Sequence, residues 1–251
     1  MTDKQRPRVR NERGRKRIRT YLGGELVADT VNPLLVWEKP YYPVYYFPES
    51  DVRLDLLTPT GETMRSPSRG DATLYTVVTA AGKAAGAAYR HLESPVAELR
   101  DHVAFQWNAM DSWFEEDEQV YVHARDPYTR VDVLPSSRHI EVVIDGVKVA
   151  ESRSARLLFE TGLPTRYYLP KTDVRMDLLE ATDLRTECPY KGVAGYYDVV
   201  VGGNRHENVV WWYPFPAAES ARIAGYVAFY NEKLDIFVDG ELEVRPKTVF
   251  S

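Results

Sequence analysis

Two short stretches of this sequence combine residue types that can do chemistry. The first is Asp-Val-Arg-φ-Asp-Leu-Leu, with φ apolar, which occurs twice, at residues 51–57 and 173–179. Read as strands, in which side chains alternate between faces, these stretches put Arg53 with Asp55, and Arg175 with Asp177, on one face. At about 7 Å between β-carbons such a pair can bond to each other or grip one anionic ligand. An ion pair that orders a loop accounts for the same residues. The second stretch is Thr186-Glu-Cys-Pro-Tyr-Lys-Gly192, answered earlier by Met64-Arg-Ser-Pro-Ser-Arg-Gly70. A cysteine nucleophile needs a base or an electropositive setting; Lys191 offers Cys188 the second, with Arg69 at the matching earlier position, and His206 is a distant candidate for the first. A small buried thiol is the plainer reading of Cys188. A third group is aromatic: Tyr196, Tyr197, Trp211, Trp212 and Tyr213 are either core or the walls of a small-molecule pocket.

The recurrence of these stretches is part of a longer repeat. Tyr46-Phe-Pro-Glu-Ser-Asp-Val-Arg-Leu-Asp-Leu-Leu57 matches Tyr168-Leu-Pro-Lys-Thr-Asp-Val-Arg-Met-Asp-Leu-Leu179 at an offset of 122 residues. That offset holds without a gap from Ile18/Ile140 to Val78/Val200, and 22 of those 61 pairs are identical, Glu38/Glu160 and Tyr75/Tyr197 among them. Beyond a loop of unequal length the register resumes at an offset of 124, pairing Tyr89 with Tyr213 and Asp111 with Asp235. The chain is therefore an internal duplication. Where the copies differ the second holds the richer residue, Cys188 against Ser66 and Trp212 against Ala88, so function is expected to rest mainly on the second copy.

The elements that must position these groups read mostly as strands. Ile140-Glu-Val-Val-Ile144 runs into Asp145-Gly146, a hairpin dipeptide, and then Val147-Lys-Val-Ala150. One short helix per copy is predicted, each opened by a proline, at Pro95 to about Arg100 and Pro216 to about Ile223. The fold class is mainly β: two tandem copies of a compact antiparallel domain. Residues 1–16 read as a basic flexible arm, 17–118 as a partly degenerate first repeat, 119–136 as a join and 137–251 as the second repeat.

Composition narrows the partners. The chain has 251 residues, 44% apolar and 27% charged, with no apolar run near the ~18 that cross a bilayer and no leader pattern, so it is expected to be soluble and cytoplasmic. Its one cysteine excludes an internal disulfide and the multi-cysteine zinc sites of small β domains; no metal site is read here. Residues 1–20 carry nine Lys or Arg against Asp3 and Glu12, a net of +7 on a chain of −5, so the remainder stands at −12. An acidic body argues against nucleic acid except for contacts of the basic arm.

At these residues the sequence resembles the bacterial and fungal family called domain of unknown function 427, also labelled nucleotidyltransferase-like. The run Tyr-φ-Pro-x-x-Asp-Val-Arg-φ-Asp-Leu-Leu, then Thr-x-Cys-Pro-Tyr-Lys-Gly, then Trp-Tyr and Ile223-Ala-Gly-Tyr-Val-Ala-Phe-Tyr230 carry the resemblance. Residues 139–242 follow it closely and 17–118 follow it through Leu57. It implies a compact β domain similar to the β-tent group, whose members often bind small molecules or zinc. The metal-binding pattern of nucleotide transfer, paired carboxylates in Asp-x-Asp spacing after a Gly-Gly turn, is missing. Gly23-Gly24 has no Asp-x-Asp after it, and the acids of Asp173-Val-Arg-Met-Asp177 stand four apart.

The resulting expectation is a protein that binds a small anionic or nucleotide-like molecule in the second repeat through Arg175, Asp177, Cys188, Lys191, Tyr196, Trp212 and Tyr213. The counterparts in the first repeat are Arg53, Asp55, Arg69 and Tyr75. The alternative is a nucleotidyltransferase-like or other enzyme acting on a small phosphorylated ligand. The sequence names no cofactor, catalytic residue or oligomeric state.

Overall fold

The computed structural model describes residues 9–39, 41–248 and 251. The chain divides into two units, Met1–Asp126 and Pro127–Ser251. The first runs β1 (Arg10–Arg13), β2 (Ile18–Leu22), β3 (Glu25–Thr30), β4 (Leu34–Trp37), β5 (Val44–Pro48), β6 (Leu57–Met64), β7 (Ala72–Val78), β8 (Lys83–Arg90), β9 (His102–Phe105), β10 (Ser112–Glu115) and β11 (Glu118–Val120). Seven strands form one antiparallel sheet in the order β1-β4-β5-β9-β8-β7-β6, and four form a second in the order β11-β10-β2-β3.

The second unit runs β12 (Val131–Pro135), β13 (Ile140–Ile144), β14 (Val147–Ser152), β15 (Arg156–Glu160), β16 (Arg166–Pro170), β17 (Leu179–Cys188), β18 (Gly192–Val201), β19 (Asn204–Trp212), β20 (Tyr226–Phe229), β21 (Asp235–Val238) and β22 (Glu241–Leu242). Its sheets, β12-β15-β16-β20-β19-β18-β17 and β14-β13-β21-β22, repeat the first unit strand for strand. Register repeats as well: Tyr46 faces Ala104 as Tyr168 faces Ala228. The Asp145-Gly146 turn joins β13 to β14 with both residues at positive φ, 48° and 77°, and Ile144 opposite Val147, the hairpin geometry that favours this dipeptide.

In each unit the large sheet has two differently used faces. Strand alternation sends Tyr167 and Leu169 of β16 into a core shared with the small sheet, beside Val142, Ile236 and Phe229, while Tyr168 between them points the other way. Tyr45, Tyr46 and Phe47 of β5 divide in the same manner. The outer face therefore carries a second cluster, covered by the turns that follow β17 and β19. The expected helices lie here as 3-10 segments, Ala97–Leu99 and Ala218–Ile223, each burying one apolar residue, Leu99 or Ile223.

Three expectations are corrected. The basic arm is not loose throughout: Arg10–Arg13 pairs with β4, with Arg10 stacked 4.0 Å from the Trp37 ring centroid and bonded to Glu12. The rest of the arm before Val9 lies outside the described residues. Likewise the join contains β12, the second unit's copy of β1, which pairs with β15. Finally, Asp-Val-Arg-φ-Asp is not a strand. Pro48 and Pro170 are each followed by two 3-10 turns, Glu49–Asp51 with Leu54–Leu56 and Lys171–Asp173 with Met176–Leu178. Only Val52 and Val174 keep a β-bridge, to Ala28 and Ala150. Local bonds win over the ladder: Asp51 accepts from Thr30 Oγ1 at 2.7 Å and Asp173 from Ser152 Oγ at 2.6 Å, pinning the bend to the small sheet.

Candidate functional site

The strand-to-turn motif is a clip. Arg53 makes a bidentate bond to Asp55 (2.8 and 2.7 Å) and Arg175 to Asp177 (2.8 and 2.6 Å), while their amides reach Val27 and Val149 carbonyls at 2.9 Å. Both side-chain pairs are more than half exposed. Each arginine holds its aspartate below the usual carboxylate range, chiefly by the hydrogen bond itself.

The outer face of each large sheet is where buried polar groups gather. In the second unit Lys191 is bonded to Glu160, the two side chains 11% and 8% exposed. Burial works against the Lys191 ammonium, but Cys188 and Glu160 outweigh it and hold the amine above its ordinary value. Tyr168 accepts from Trp211 Nε1 at 3.0 Å, and Tyr196 bonds Thr186 at 2.7 Å. Tyr168, Tyr196, Trp211 and Tyr213 share one cluster, with Cys188 packed against it; burial pushes the Tyr168 and Tyr213 hydroxyls up, so both stay protonated. Four of the sequence-selected residues thus come together: Cys188, Lys191, Tyr196 and Tyr213. Trp212 does not join them. It packs on the opposite, principal core, with the Lys171 ammonium 3.4 Å from its ring centroid. Tyr75, like Tyr197, also packs on the principal-core side.

The first unit holds the same arrangement with an arginine. Glu38 Oε1 accepts from Arg69, from Tyr46 at 3.0 Å and from Tyr89 at 3.2 Å. Buried His91 completes the group, its Nδ1 bonded to the Gly70 carbonyl at 2.8 Å and its Nε2 3.4 Å from Arg69. Burial first, and Arg69 second, lower its pKa and keep the ring neutral. Glu38, Tyr46 and His91 were not selected from the sequence. The identity Glu38/Glu160 was visible there, and its pairing with the two basic positions of Pro-x-basic-Gly was the available signal.

Beside this group the first unit opens a cleft of about 260 Å³, walled by Tyr42, Phe105, Trp107, Trp113 and His123 and reached by Glu38, Tyr89 and Gln106. Its walls are braced in pairs: Trp107 on Trp113 at 4.5 Å between centroids, and Tyr42 on His123 at 3.8 Å, both nearly parallel. Glu38 keeps 21% of its side chain exposed. All three of its donors converge on Oε1, and among the described residues none reaches Oε2.

The second unit fills the corresponding positions. Arg166 replaces Val44, Tyr230 replaces Gln106 and Asn231 replaces Trp107. The Arg166 guanidinium makes two 2.6 Å bonds to Glu232 and one to Asn231, and lies 5.5 Å from the Trp211 ring centroid, on which Tyr230 packs. The Glu232 side chain is fully buried. This plug of Arg166, Asn231 and Glu232 occupies the space beside the second unit's aromatic cluster.

A metal would find a poor place. His139, Glu141 and Glu151 bring three ligand atoms within 4.8 Å of one another, but the Lys148 ammonium already bridges the two carboxylates.

Duplicated two-sheet β units, each with an acid, a base and two tyrosines gathered on the outer face of the larger sheet, define a tandem β-domain protein. The chain belongs to the family described as Domain of unknown function (DUF427), which matches residues 10–116 and 132–240. A comparison with curated proteins found no match.

Proposed function

We propose that this chain is a small-molecule-binding protein whose ligand, a small planar ring carrying N–H donors, occupies the aromatic cleft of the first unit. The observation that carries this reading is the cleft itself. Its 260 Å³ lies just below the ~300–1,000 Å³ of ordinary ligand pockets, which suits a single ring system and not an entire nucleotide. Stacked aromatic walls favour a flat π-face, worth roughly 1–3 kcal/mol per ring for a nucleobase. The unused Oε2 of Glu38 then supplies a charged acceptor for ring or exocyclic N–H groups, the stronger class of hydrogen bond.

An anion gripped by Arg175 and Lys191 has less support, because each cation is already bonded to a carboxylate of its own repeat. The nucleotidyltransferase alternative rests on the family's label and on no paired-carboxylate geometry. A cytoplasmic place for the protein is part of this proposal and rests on its single cysteine; no helix among the described residues is long and apolar enough to cross a membrane.

Trp107 and Trp113 make the test direct. Titration with guanine-, adenine- and aminopyrimidine-type rings should quench tryptophan fluorescence, with rings that present adjacent N–H donors binding best. Trp107→Ala should weaken that binding roughly tenfold, the equivalent of ~1.4 kcal/mol of lost stacking. The reading fails if no planar ring binds, or if Trp107→Ala binds as the wild type does.

A further inference from the structure

We infer that the second unit carries an anion-binding recess, apart from the aromatic cleft, suited to the phosphate group of a small molecule. The recess lies between the loop from β12 to β13, with Pro135, Ser136 and Ser137, and the loop from β14 to β15, with Arg153 and Ser154; Arg156 and Tyr226 complete it. It is open to solvent and measures about 520 Å³.

Its scaffold is fixed by the sheet. Pro135 pairs with Arg156 at the end of the β12–β15 ladder, the Ser136 amide bonds the Ala155 carbonyl at 3.0 Å, and the Ser154 amide bonds Ser152 Oγ at 2.9 Å. The Arg156 guanidinium is held 5.4 Å from the Tyr226 ring centroid. Around this frame stand two guanidinium groups and three serine hydroxyls, all hydrogen-bond donors. Arginine's planar fork matches the oxygens of a phosphate in pairs.

The two arginines are the informative part. In this unit Arg130, Arg138, Arg166, Arg175, Arg205 and Arg245 are each bonded to a carboxylate. Among the described residues Arg153 and Arg156 have no such partner, and neither is tied to a backbone carbonyl as Arg185 and Arg222 are. Asp239, whose charge Arg153 feels, is already taken by Arg138 at 2.7 Å and the His139 amide at 2.9 Å. On an acidic chain, two adjacent cations left without an internal counter-charge are free to bind an external one.

The repeat supplies an internal control. The first unit builds the same frame, with Arg13 opposite Leu34 and the Gly14 amide on the Pro33 carbonyl at 2.7 Å. At the positions of Arg153, Ser154 and Arg156, however, it has Val31, Asn32 and Leu34, and Gly14 stands at Ser136. Its own cations are placed differently, Arg13 at the end of β1 and Arg15 on the loop that follows it. The frame is thus common to both copies, and the paired guanidinium groups beside hydroxyls belong to the second.

The test is calorimetric titration of the full chain with inorganic pyrophosphate and with inorganic phosphate at low ionic strength, each against sodium chloride of matched ionic strength. Pyrophosphate should bind, roughly tenfold more weakly to Arg153→Ala or Arg156→Ala and not measurably to the double variant. Arg245→Ala, which removes an arginine already paired with Asp235, should bind like the wild type. Unfolding midpoints of the free variants, expected within a degree or two of the wild type because these side chains carry no internal ion pair, establish that loss of binding is not loss of fold. No binding by the wild type beyond the chloride control, or undiminished binding by the double variant, overturns the inference.

Discussion

Glu160 and Lys191 form a buried ion pair on the outer face of the second unit's large sheet, at the positions where Glu38 and Arg69 pair in the first. Glu160→Ala leaves an ammonium enclosed without a counter-charge, and breaking such a pair from one side costs ~3–5 kcal/mol. Glu38→Ala should cost less, since Glu38 is 21% exposed against 8% for Glu160. Urea unfolding of the two variants, read by tryptophan fluorescence, checks the order.

Arg53→Ala and Arg175→Ala should each leave stability nearly unchanged, as is usual for ion pairs exposed to solvent. Asp173→Ala should cost more, because it leaves the O–H of Ser152, a residue 3% exposed, without its acceptor, at ~1–3 kcal/mol for an unsatisfied buried donor. Equal effects of Arg175→Ala and Asp173→Ala in denaturant titrations would contradict the clip.

His91 makes stability depend on pH. Burial, then Arg69, lower its pKa below the ordinary 6.5, so the unfolded chain takes up a proton near pH 6.5 that the folded protein refuses. Stability is therefore complete above that pH and falls as the pH drops toward the folded value. His102, lowered in the same way by burial and Arg13, adds to the slope. Unfolding free energies measured between pH 5 and 8 should fall on the acid side, and His91→Gln should flatten part of that fall.

Arg166 and Glu232 give the sharpest contrast between single and double change. Arg166→Ala leaves the fully buried Glu232 carboxylate without its cation, a loss of ~3–5 kcal/mol, whereas Arg166→Met with Glu232→Leu should be near neutral. Thermal and urea unfolding of the three proteins decide it; a double variant as unstable as the single one would show that the space fits only the ion pair.

The strands, the hairpin at Asp145-Gly146 and the duplication were legible because they depend on neighbours in sequence or on comparison of one copy with the other. β1 was not, because Arg10-Asn-Glu-Arg looks like a solvated charge run until Trp37, 27 residues away in the chain, offers its ring. The Arg-Asp pairing was one of two alternatives the sequence left open, and it arises from a different local structure: a 3-10 turn brings residues two apart together where a strand was expected. The cleft could not be read, since it is made by Tyr42, Trp107 and His123 converging from distant loops. The filling of the corresponding positions in the second unit turns on the replacement of Val44 by Arg166, of Gln106 by Tyr230 and of Trp107 by Asn231, and the meaning of Arg166 appears only beside Glu232.

The same plug bears on how a duplicated chain avoids mispairing with itself. Two copies with one topology and one register offer every strand a near-identical wrong place during folding, and strand exchange between tandem domains is a recognised failure of such chains. Were β16 to insert where β5 belongs, Arg166 would enter the first unit without Glu232, since Asn108 stands at that position, and the buried Glu232 of the second unit would be left without its cation. The misassembled sheet would lose several kcal/mol at that residue alone. Arg166 and Glu232 thus act as a lock and key that admits β16 to its own copy and penalises the other, so that divergence between the repeats keeps each one folding with itself.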